Sequence, residues 1–215
     1  SFGNIFKISS FGESHGKALI GILDGIPSNL PISEEYIRKQ LSRRQMGFGR
    51  GGRMKIESDY AEIVSGVRYG KTLGSPIGLI IENKDWKNWK EIMKTEASSN
   101  PARKITLPRP GHADLAGLIK YDFDDIRCVL ERSSARETAM RVAIGSICRK
   151  FIAKLGIQVA SRVVQIHDVI DRNQLPEISK INDLADKSPT RCVSKLDSEK
   201  MVERIKEARK SGDSV

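Results

Sequence analysis

The segment 135–155 constrains the fold of this chain more than any other part of the sequence. Its apolar side chains recur every three or four residues, which predicts an amphipathic α-helix with one buried face. They are Met140, Ile144, Ile147, Cys148, Phe151 and Leu155. Ser134 and Glu137 have the spacing of a capping box at the helix start, and Gly156 marks its end. A helix of this length needs a sheet or other helices against its apolar face.

Four apolar segments outside that helix have the composition and length of β-strands. They are residues 18–24, 61–68, 76–82 and 157–166. Three polar or glycine-rich segments predict loops, and these are residues 47–52, 83–110 and 171–197. The two tryptophans of the middle loop, Trp86 and Trp89, are interpreted as packing anchors rather than as a stacking platform.

Two further helices are predicted from capping and spacing. Ser33 has the character of a helix cap, and Ile37 and Leu41 follow at the spacing of an inward face. Residues 198–210 repeat the amphipathic pattern. Because helices and strands alternate irregularly, we expect an α+β fold in a single domain over residues 1–215.

Composition excludes several classes of protein. Apolar residues make up 39% of the chain and charged residues 30%, which is too apolar for a disordered tail. No apolar run approaches the length of a membrane-spanning helix. The N-terminal residues show no secretory signal, and the three cysteines show neither disulfide nor metal spacing. We therefore expect a soluble, cytoplasmic protein.

Positive charge is concentrated rather than scattered along the chain. Lysine and arginine total 37 against 27 acidic residues, a net charge of +10. Residues 38–55 contain many cations and no acid, and smaller clusters follow near Arg109 and between Arg132 and Lys150. A solvated basic face accounts for such clusters. An anionic partner accounts for these clusters equally well. That partner is a nucleic acid, an acidic membrane, or a phosphorylated or carboxylated small molecule.

Two histidines lie in loops of small residues, which favours a chemical role over a place in the core. His15 lies in the sequence GESHG at 12–16, and His112 lies in RPGHAD at 109–114. Histidine gives or takes a proton near neutral pH, so both are candidates for acid–base catalysis. Ser14 beside His15 also permits a serine-hydrolase interpretation, but sequence neighbours rarely face each other as nucleophile and base.

Residues 132–137 (RSSARE) place two hydroxyls between arginines at the predicted start of the long helix. Free backbone amides at a helix start bind anions, so this segment is a candidate anion site. The capping box alone explains Ser134 and Glu137, but it does not explain Arg132 and Arg136. The chain has no HxH or HExxH spacing and no dinucleotide or P-loop glycine motif, so we predict no metal, Rossmann or P-loop site.

An RNA-binding protein is the alternative to an enzyme acting on a small anion. The sequence Arg50-Gly51-Gly52 has the form of an RGG element, and the pI is about 9.6. Aromatic residues make up only 6% of the chain, and only Phe48 interrupts the basic run. RNA-binding surfaces stack bases on aromatic side chains, so we favour the enzyme and expect no nucleic-acid or membrane partner.

Several long motifs, in a characteristic order, carry a family resemblance. They are 2–16 (FGNIFKISSFGESHG), 43–59 (RRQMGFGRGGRMKIESD), 64–86 (VSGVRYGKTLGSPIGLIIENKDW), 109–121 (RPGHADLAGLIKY) and 132–145 (RSSARETAMRVAIG). On these motifs the chain resembles the chorismate synthase family over essentially its whole length. One departure is Glu131, where many members have glycine before the Arg-Ser-Ser sequence.

The resemblance implies a carbon–oxygen lyase with the family's β-α-β sandwich fold, of which this chain holds the N-terminal part. The family converts 5-enolpyruvylshikimate 3-phosphate to chorismate and phosphate by a net 1,4-anti elimination, in the shikimate pathway of aromatic amino acid biosynthesis. It requires reduced FMN and is usually a homotetramer; whether NADPH or an external reductase reduces the flavin stays open. Family members are longer and carry a catalytic Asp and further FMN contacts in their second half. We therefore expect the piece by itself to lack turnover.

The resemblance also implies roles for individual residues. His15 and His112 would be catalytic, with His15 as general acid at the leaving phosphate and His112 against the flavin; the alternative is that the two roles are exchanged. His167 lies outside the motifs and is interpreted as structural or as a surface residue. The other implied roles are FMN binding for Arg132, Ser133 and Ser134; substrate or NADP binding for Arg44 and Arg50; and substrate binding for Ser14, Arg109 and Arg136.

Overall fold

A computed structural model describes residues 3–49, 58–98 and 104–213. The chain forms two compact units, one built from Ser1–Leu41 and Asp59–Cys148 and the other from Ser42–Ser58 and Arg149–Val215. The expectation of a single domain stays a prediction. Helices and antiparallel sheets coexist in the described residues, which confirms the α+β class.

Eight strands and seven helices make up the regular structure of the described residues. The strands are β1 (Lys7–Phe11), β2 (Ala18–Asp24), β3 (Glu62–Ser65), β4 (Val67–Arg68), β5 (Lys71–Thr72), β6 (Ile77–Glu82), β7 (Gln165–Ile166) and β8 (Val169–Ile170). The helices are α1 (Glu34–Gln45), α2 (Trp86–Trp89), α3 (Asp114–Tyr121), α4 (Arg127–Leu130), α5 (Glu137–Ala153), α6 (Ile178–Ala185) and α7 (Lys195–Ser211). None of these helices is long and apolar enough to span a membrane.

A four-stranded antiparallel sheet organises the first unit. Its strand order is β1-β2-β6-β3. Leu19 and Leu23 on β2 pair with Ile81 and Ile77 on β6, and all four side chains are buried. Because side chains alternate between the faces of a strand, this register gathers the apolar residues of the two central strands on one face.

The long helix α5 packs on that apolar face. A Cβ on Gly21 of β2 would lie 2.4 Å from Met140 Sδ and 2.7 Å from Ile144 Cδ1, so the helix contacts the strand backbone itself. Met140, Ile144 and Ile147 are fully buried, as the apolar stripe predicts. Leu155 lies beyond the helix end and is 63% exposed, so the stripe is shorter than predicted.

The predicted capping box at the start of α5 is confirmed for Ser134 and wrong for Glu137. The hydroxyl of Ser134 accepts a hydrogen bond from the backbone N–H of Arg136 at 3.3 Å. The carboxylate of Glu137 instead accepts from Ser10 Oγ at 2.6 Å and pairs with Arg141 at 2.8 Å. A strand residue and a cation one turn along the helix therefore take the place of the backbone N–H expected to bind Glu137, which ties the helix start to β1.

The second unit contains α6, α7 and the β7–β8 hairpin. The predicted strand 157–166 is wrong except at its last two residues, β7. Its backbone bonds elsewhere: Ser161 N–H donates to the Asn182 side chain and Val163 N–H to the carbonyl of Arg191. Asn182 belongs to α6, a helix inside the segment 171–197 that we predicted as a loop. Alternating hydrophobicity without a neighbouring strand to pair with did not produce a strand.

Candidate functional site

His15 lies in the turn between β1 and β2, bound to a buried carboxylate. Its ring nitrogen Nδ1 is 2.9 Å from Glu131 Oε1 and 3.0 Å from Oε2. The backbone N–H of His15 donates to Glu131 Oε2 at 2.8 Å. The side chain of His15 is 20% exposed and that of Glu131 only 2%. The imidazole of His15 is therefore accessible to solvent, whereas the carboxylate of Glu131 that it contacts is not.

Glycine makes the approach of this turn to the neighbouring strand possible. Gly12 has φ +102°, a conformation that favours glycine. A Cβ at that position would lie 2.3 Å from the carbonyl oxygen of Ala18. The residue after the next, Ser14, donates its backbone N–H to the carbonyl oxygen of Glu131 at 3.0 Å. The turn is thus joined to the end of α4 by backbone as well as by side chain.

Trp89 covers the imidazole of His15. The two ring centroids are 3.8 Å apart with an interplanar angle of 31°. Trp89 ends the short helix α2, and its indole N–H donates to Asp85 Oδ2 at 2.7 Å. Arg127 lies with its guanidinium carbon 5.2 Å from the Trp89 ring centroid and donates to Glu131 Oε1 at 3.3 Å. Carboxylate, imidazole, indole and guanidinium therefore form one contiguous group.

The segment after Glu131 is joined to the same turn. Arg132 donates to the carbonyl oxygen of Gly12 at 2.5 Å, and its side chain is exposed. Ser14 is 1% exposed and donates its hydroxyl to Ser134 Oγ at 3.0 Å. Ser133 donates to the carbonyl oxygen of Val129 at 3.1 Å. The structure therefore brings the GESHG turn and the RSSARE segment together, although they are more than a hundred residues apart in sequence.

Arg136 supports the turn from inside the protein. Its guanidinium pairs with Asp59 and donates through Nε to Asn83 Oδ1 at 2.9 Å. Asn83 in turn donates to the carbonyl oxygen of Gly16 at 2.7 Å. Arg136 is only 5% exposed, so these contacts account for a structural role. A direct contact between Arg136 and substrate stays a prediction.

His112 and Arg109 lie in a separate loop before α3. Arg109 forms a two-pronged ion pair with Asp114, with both N–O distances at 2.9 Å. That hydrogen bonding lowers the pKa of the Asp114 carboxyl to about 2. His112 is exposed, and within the part of the chain that the structure describes no hydrogen bond or ring contact joins it to His15.

A cavity of about 570 Å³ opens between α3 and α4. Ala113, the residue after His112, lines it together with Arg132 and Ser133, so the cavity lies between the His112 loop and the RSSARE segment. Its lining combines apolar and aromatic side chains with two cations. The lining residues are Ala113, Ala116, Gly117, Lys120, Tyr121, Phe123, Cys128, Val129, Arg132 and Ser133.

The remaining predicted anion-binding residues belong to the second unit. Arg44 lies in the last turn of α1 and is half-buried. Arg50 lies outside the described residues. Arg43, beside Arg44, pairs with Asp186 and donates to Asn182 Oδ1 at 3.1 Å. Over residues 3–49, 58–98 and 104–213, no group of three His, Cys, Asp or Glu side chains is arranged to hold a metal ion.

Sequence reasoning missed the partners of His15. Glu131 was noted only as a departure from the family pattern, and Trp89 only as a packing anchor. The one local signal is that Arg127 and Glu131 are four residues apart, a spacing that pairs opposite charges on a helix. Nothing local to Glu131 indicates that its carboxylate reaches a turn 116 residues earlier in the chain.

The fold and the site together define an α+β protein with a candidate acid–base site for an anionic ligand. A family model described as "Chorismate synthase" matches residues 6–215. The chain belongs to the chorismate synthase family, which confirms the resemblance seen in the sequence.

Named relatives agree with that assignment. Chorismate synthase of Alkaliphilus metalliredigens is 51% identical over 211 residues, covering 98% of this chain and 55% of the relative. That of Aquifex aeolicus is 50% identical, covering 95% and 54%. A crystal structure of chorismate synthase superposes with a TM-score of 0.76 at 39% identity, over 97% of this chain and 55% of that one. The chain thus spans about half the length of the curated relatives it matches.

Proposed function

We propose that the whole protein is a chorismate synthase acting in the shikimate pathway. It converts 5-enolpyruvylshikimate 3-phosphate to chorismate and phosphate by 1,4-anti elimination and requires reduced FMN. The observation that carries the proposal is the accessible imidazole of His15, held by Glu131 and joined to the RSSARE segment, in a chain of this family. An imidazole among cations suits a reaction in which a phosphate group leaves.

His15 serves as the general acid for the departing phosphate. Its Nδ1 lies against the Glu131 carboxylate, so Nδ1 carries a proton that it donates there. Nε2 is then the nitrogen that passes a proton to the phosphate oxygen. Protonation lowers the negative charge on the leaving group, and such catalysis contributes roughly 10²–10⁴-fold to a rate.

The residues around the cavity between α3 and α4 suit a flavin. Its apolar and aromatic walls match a flat ring system, and Arg132 and Lys120 supply cations for a phosphate group. Arg132, Ser133 and Ser134 would hold FMN, and His112 lies next to the cavity lining, where it would protonate or stabilise the reduced ring. When bound, reduced FMN supplies electron density to the substrate transiently, without net oxidation or reduction.

Arginines bind the anionic groups of the substrate, which carries a phosphate and two carboxylates. Arg44 and Arg50 bind substrate, or NADP if the protein reduces its own flavin. Ser14, Arg109 and Arg136 add substrate contacts. The planar guanidinium binds carboxylate and phosphate through two parallel hydrogen bonds, which a lysine cannot do.

An anaerobic assay of the full-length protein with reduced FMN and 5-enolpyruvylshikimate 3-phosphate tests the function. Chorismate and phosphate should form in equal amounts. His15→Ala and His112→Ala should each lower turnover at least about tenfold while the protein stays folded. His167→Ala is the matched control, because His167 lies on the β7–β8 hairpin and contacts Asp168. Absence of chorismate with the wild-type protein would exclude the proposal.

Two further properties are proposed from the family. The protein is a homotetramer in the cytoplasm, which sedimentation of the full-length protein and fractionation of its source cells test. A parallel assay with oxidised FMN and NADPH decides whether the protein reduces its own flavin. Chorismate formation in that assay requires NADPH-dependent reduction, and its absence assigns reduction to an external reductase.

A further inference from the structure

We propose that Glu131 is a positioning residue for His15, with Trp89 and Arg127 as its supports. The carboxylate holds the imidazole with its proton on Nδ1 and thereby leaves Nε2 as the proton-exchanging atom. This inference rests on the proposed function only where it concerns turnover. The geometry of the ring can be tested without any activity.

The carboxylate of Glu131 contacts both the side chain and the backbone of His15. Both oxygens lie within 3.0 Å of Nδ1, and Oε2 also accepts from the backbone N–H of His15 at 2.8 Å. The backbone N–H alone would satisfy a carboxylate that only braced the turn. The additional contact with Nδ1 sets the rotation of the ring and its tautomer, as a buried acid does in catalytic triads.

Burial of Glu131 strengthens its interaction with His15. Glu131 is 2% exposed, so water and salt screen its charge little. His167 and Asp168 form a pair of similar length, 2.8 Å, but their side chains are 55% and 53% exposed. Exposed pairs contribute little to geometry or stability. The described residues therefore contain a buried and an exposed example of the same contact, which supplies an internal control.

Trp89 contacts the imidazole of His15, and Arg127 contacts both Trp89 and the carboxylate of Glu131. The indole covers one face of the imidazole at 3.8 Å between centroids and limits rotation about the His15 side-chain bonds. Arg127 bridges the two supports, with its guanidinium over the indole and one N–H on Glu131 Oε1. Arg127 thereby helps to hold the Glu131 carboxylate in place beside Nδ1 of His15.

The first test uses the full-length protein with 15N-labelled histidine and does not depend on turnover. Nitrogen chemical shifts distinguish the two neutral tautomers, and loss of a signal in His15→Ala assigns it. At high pH the proton of neutral His15 should reside on Nδ1. A neutral imidazole with its proton on Nε2 would overturn the positioning role, whatever the activity of the protein.

The second test compares Glu131→Gln with Asp168→Asn in the anaerobic assay. Glu131→Gln keeps the size and an acceptor oxygen but removes the charge that balances a protonated imidazole. It should lower kcat at least about tenfold with little change in KM. Glu131→Asp should recover part of the loss, and Asp168→Asn should leave kcat unchanged. Unaltered kcat in Glu131→Gln would contradict the proposal.

The third test addresses the indole. Trp89→Leu should lower kcat, and Trp89→Phe should restore most of it because a ring again covers the imidazole. Trp86→Leu is the matched control from the same helix, α2. Equal loss in Trp89→Phe and Trp89→Leu would show that the ring face has no role. A wild-type protein that lacks turnover but has its His15 proton on Nδ1 would refute the proposed function and leave the positioning role intact.

Discussion

The arginines of this chain differ from one another in how deeply their partner carboxylates are buried. Arg136 and Asp59 are 5% and 1% exposed and form the most buried ion pair of the described residues, whereas Arg38 and Glu35 are 58% and 71% exposed. Removing one member of a buried pair leaves a charge in a medium that solvates it poorly. The same residue type therefore has very different effects on stability at these two positions.

We expect Arg136→Met to lower the free energy of unfolding by about 3–5 kcal/mol, because the Asp59 carboxylate loses its guanidinium partner while it stays buried. Urea denaturation measures this difference. Arg38→Met is the matched control and should show no measurable change. A small effect of Arg136→Met would mean that water reaches Asp59 in the folded protein.

The lowered pKa of Asp114 predicts that the free energy of unfolding depends on pH. Hydrogen bonding to Arg109 lowers the pKa of its carboxyl to about 2 in the folded protein, below the ordinary value of about 3.9. The ionised form is therefore favoured by folding. Its contribution is complete above the unfolded pKa and is lost as the pH falls from about 4 through about 2.

The comparison of wild type with Asp114→Asn isolates this contribution. At pH 6 the wild-type protein should have the larger free energy of unfolding, and the difference should shrink as the pH falls from about 4 to about 2. Denaturation curves across that range give the result. A difference that stays constant with pH would show that the Arg109 contact does not depend on the charge of Asp114.

At the scale of elements, the contact between α5 and β2 determines where the site lies. Gly21 permits the helix to approach the strand, and the start of that helix follows the RSSARE segment directly. The turn that carries His15 connects β1 to β2. Close packing of one helix on one sheet therefore brings the two motifs of the site together.

We expect Gly21→Ala to destabilise the protein by about 1–3 kcal/mol, because the added methyl group meets Met140 and Ile144 in a filled core. Gly145→Ala, on the helix α5 that packs against Gly21, is the control. Nothing lies within 4 Å of a Cβ there, so the better helix former should stabilise the protein by up to about 1 kcal/mol. Thermal unfolding of both variants measures the two effects, and equal shifts would contradict the packing argument.

Elements whose stability comes from local pattern were predictable, and those that depend on distant partners were not. The prediction of a strand at 18–24 matches β2 residue for residue. Ile37 and Leu41 are buried on α1 as predicted. The prediction of a strand at 157–166 failed because its backbone bonds to the side chain of Asn182 on α6 and to the carbonyl of Arg191. Local periodicity predicts which side chains are buried, but a β-strand also needs a neighbouring strand that pairs with its backbone.

At the scale of the whole molecule, the net charge of +10 has two competing interpretations. We expect a single-stranded RNA oligonucleotide to bind weakly at low salt and to dissociate by about 0.2 M salt, since such binding depends on counterion release. Chorismate formation by the full-length protein should be unaffected by saturating RNA. Tight RNA binding that persists at this salt concentration would revive the RNA-binding alternative.

The sequence by itself determined the α+β class, the family, the central strand β2, the buried face of α5 and which residues are candidates for a site that binds anions. Those features follow from local periodicity and from motifs that are contiguous in the chain. Only the tertiary structure decided that Glu131 and Trp89 hold His15, and that Arg136 is buried against Asp59. These partners come from distant segments, and only the packing of α5 on the sheet and the bonds between Glu131 and the β1–β2 turn bring them into contact.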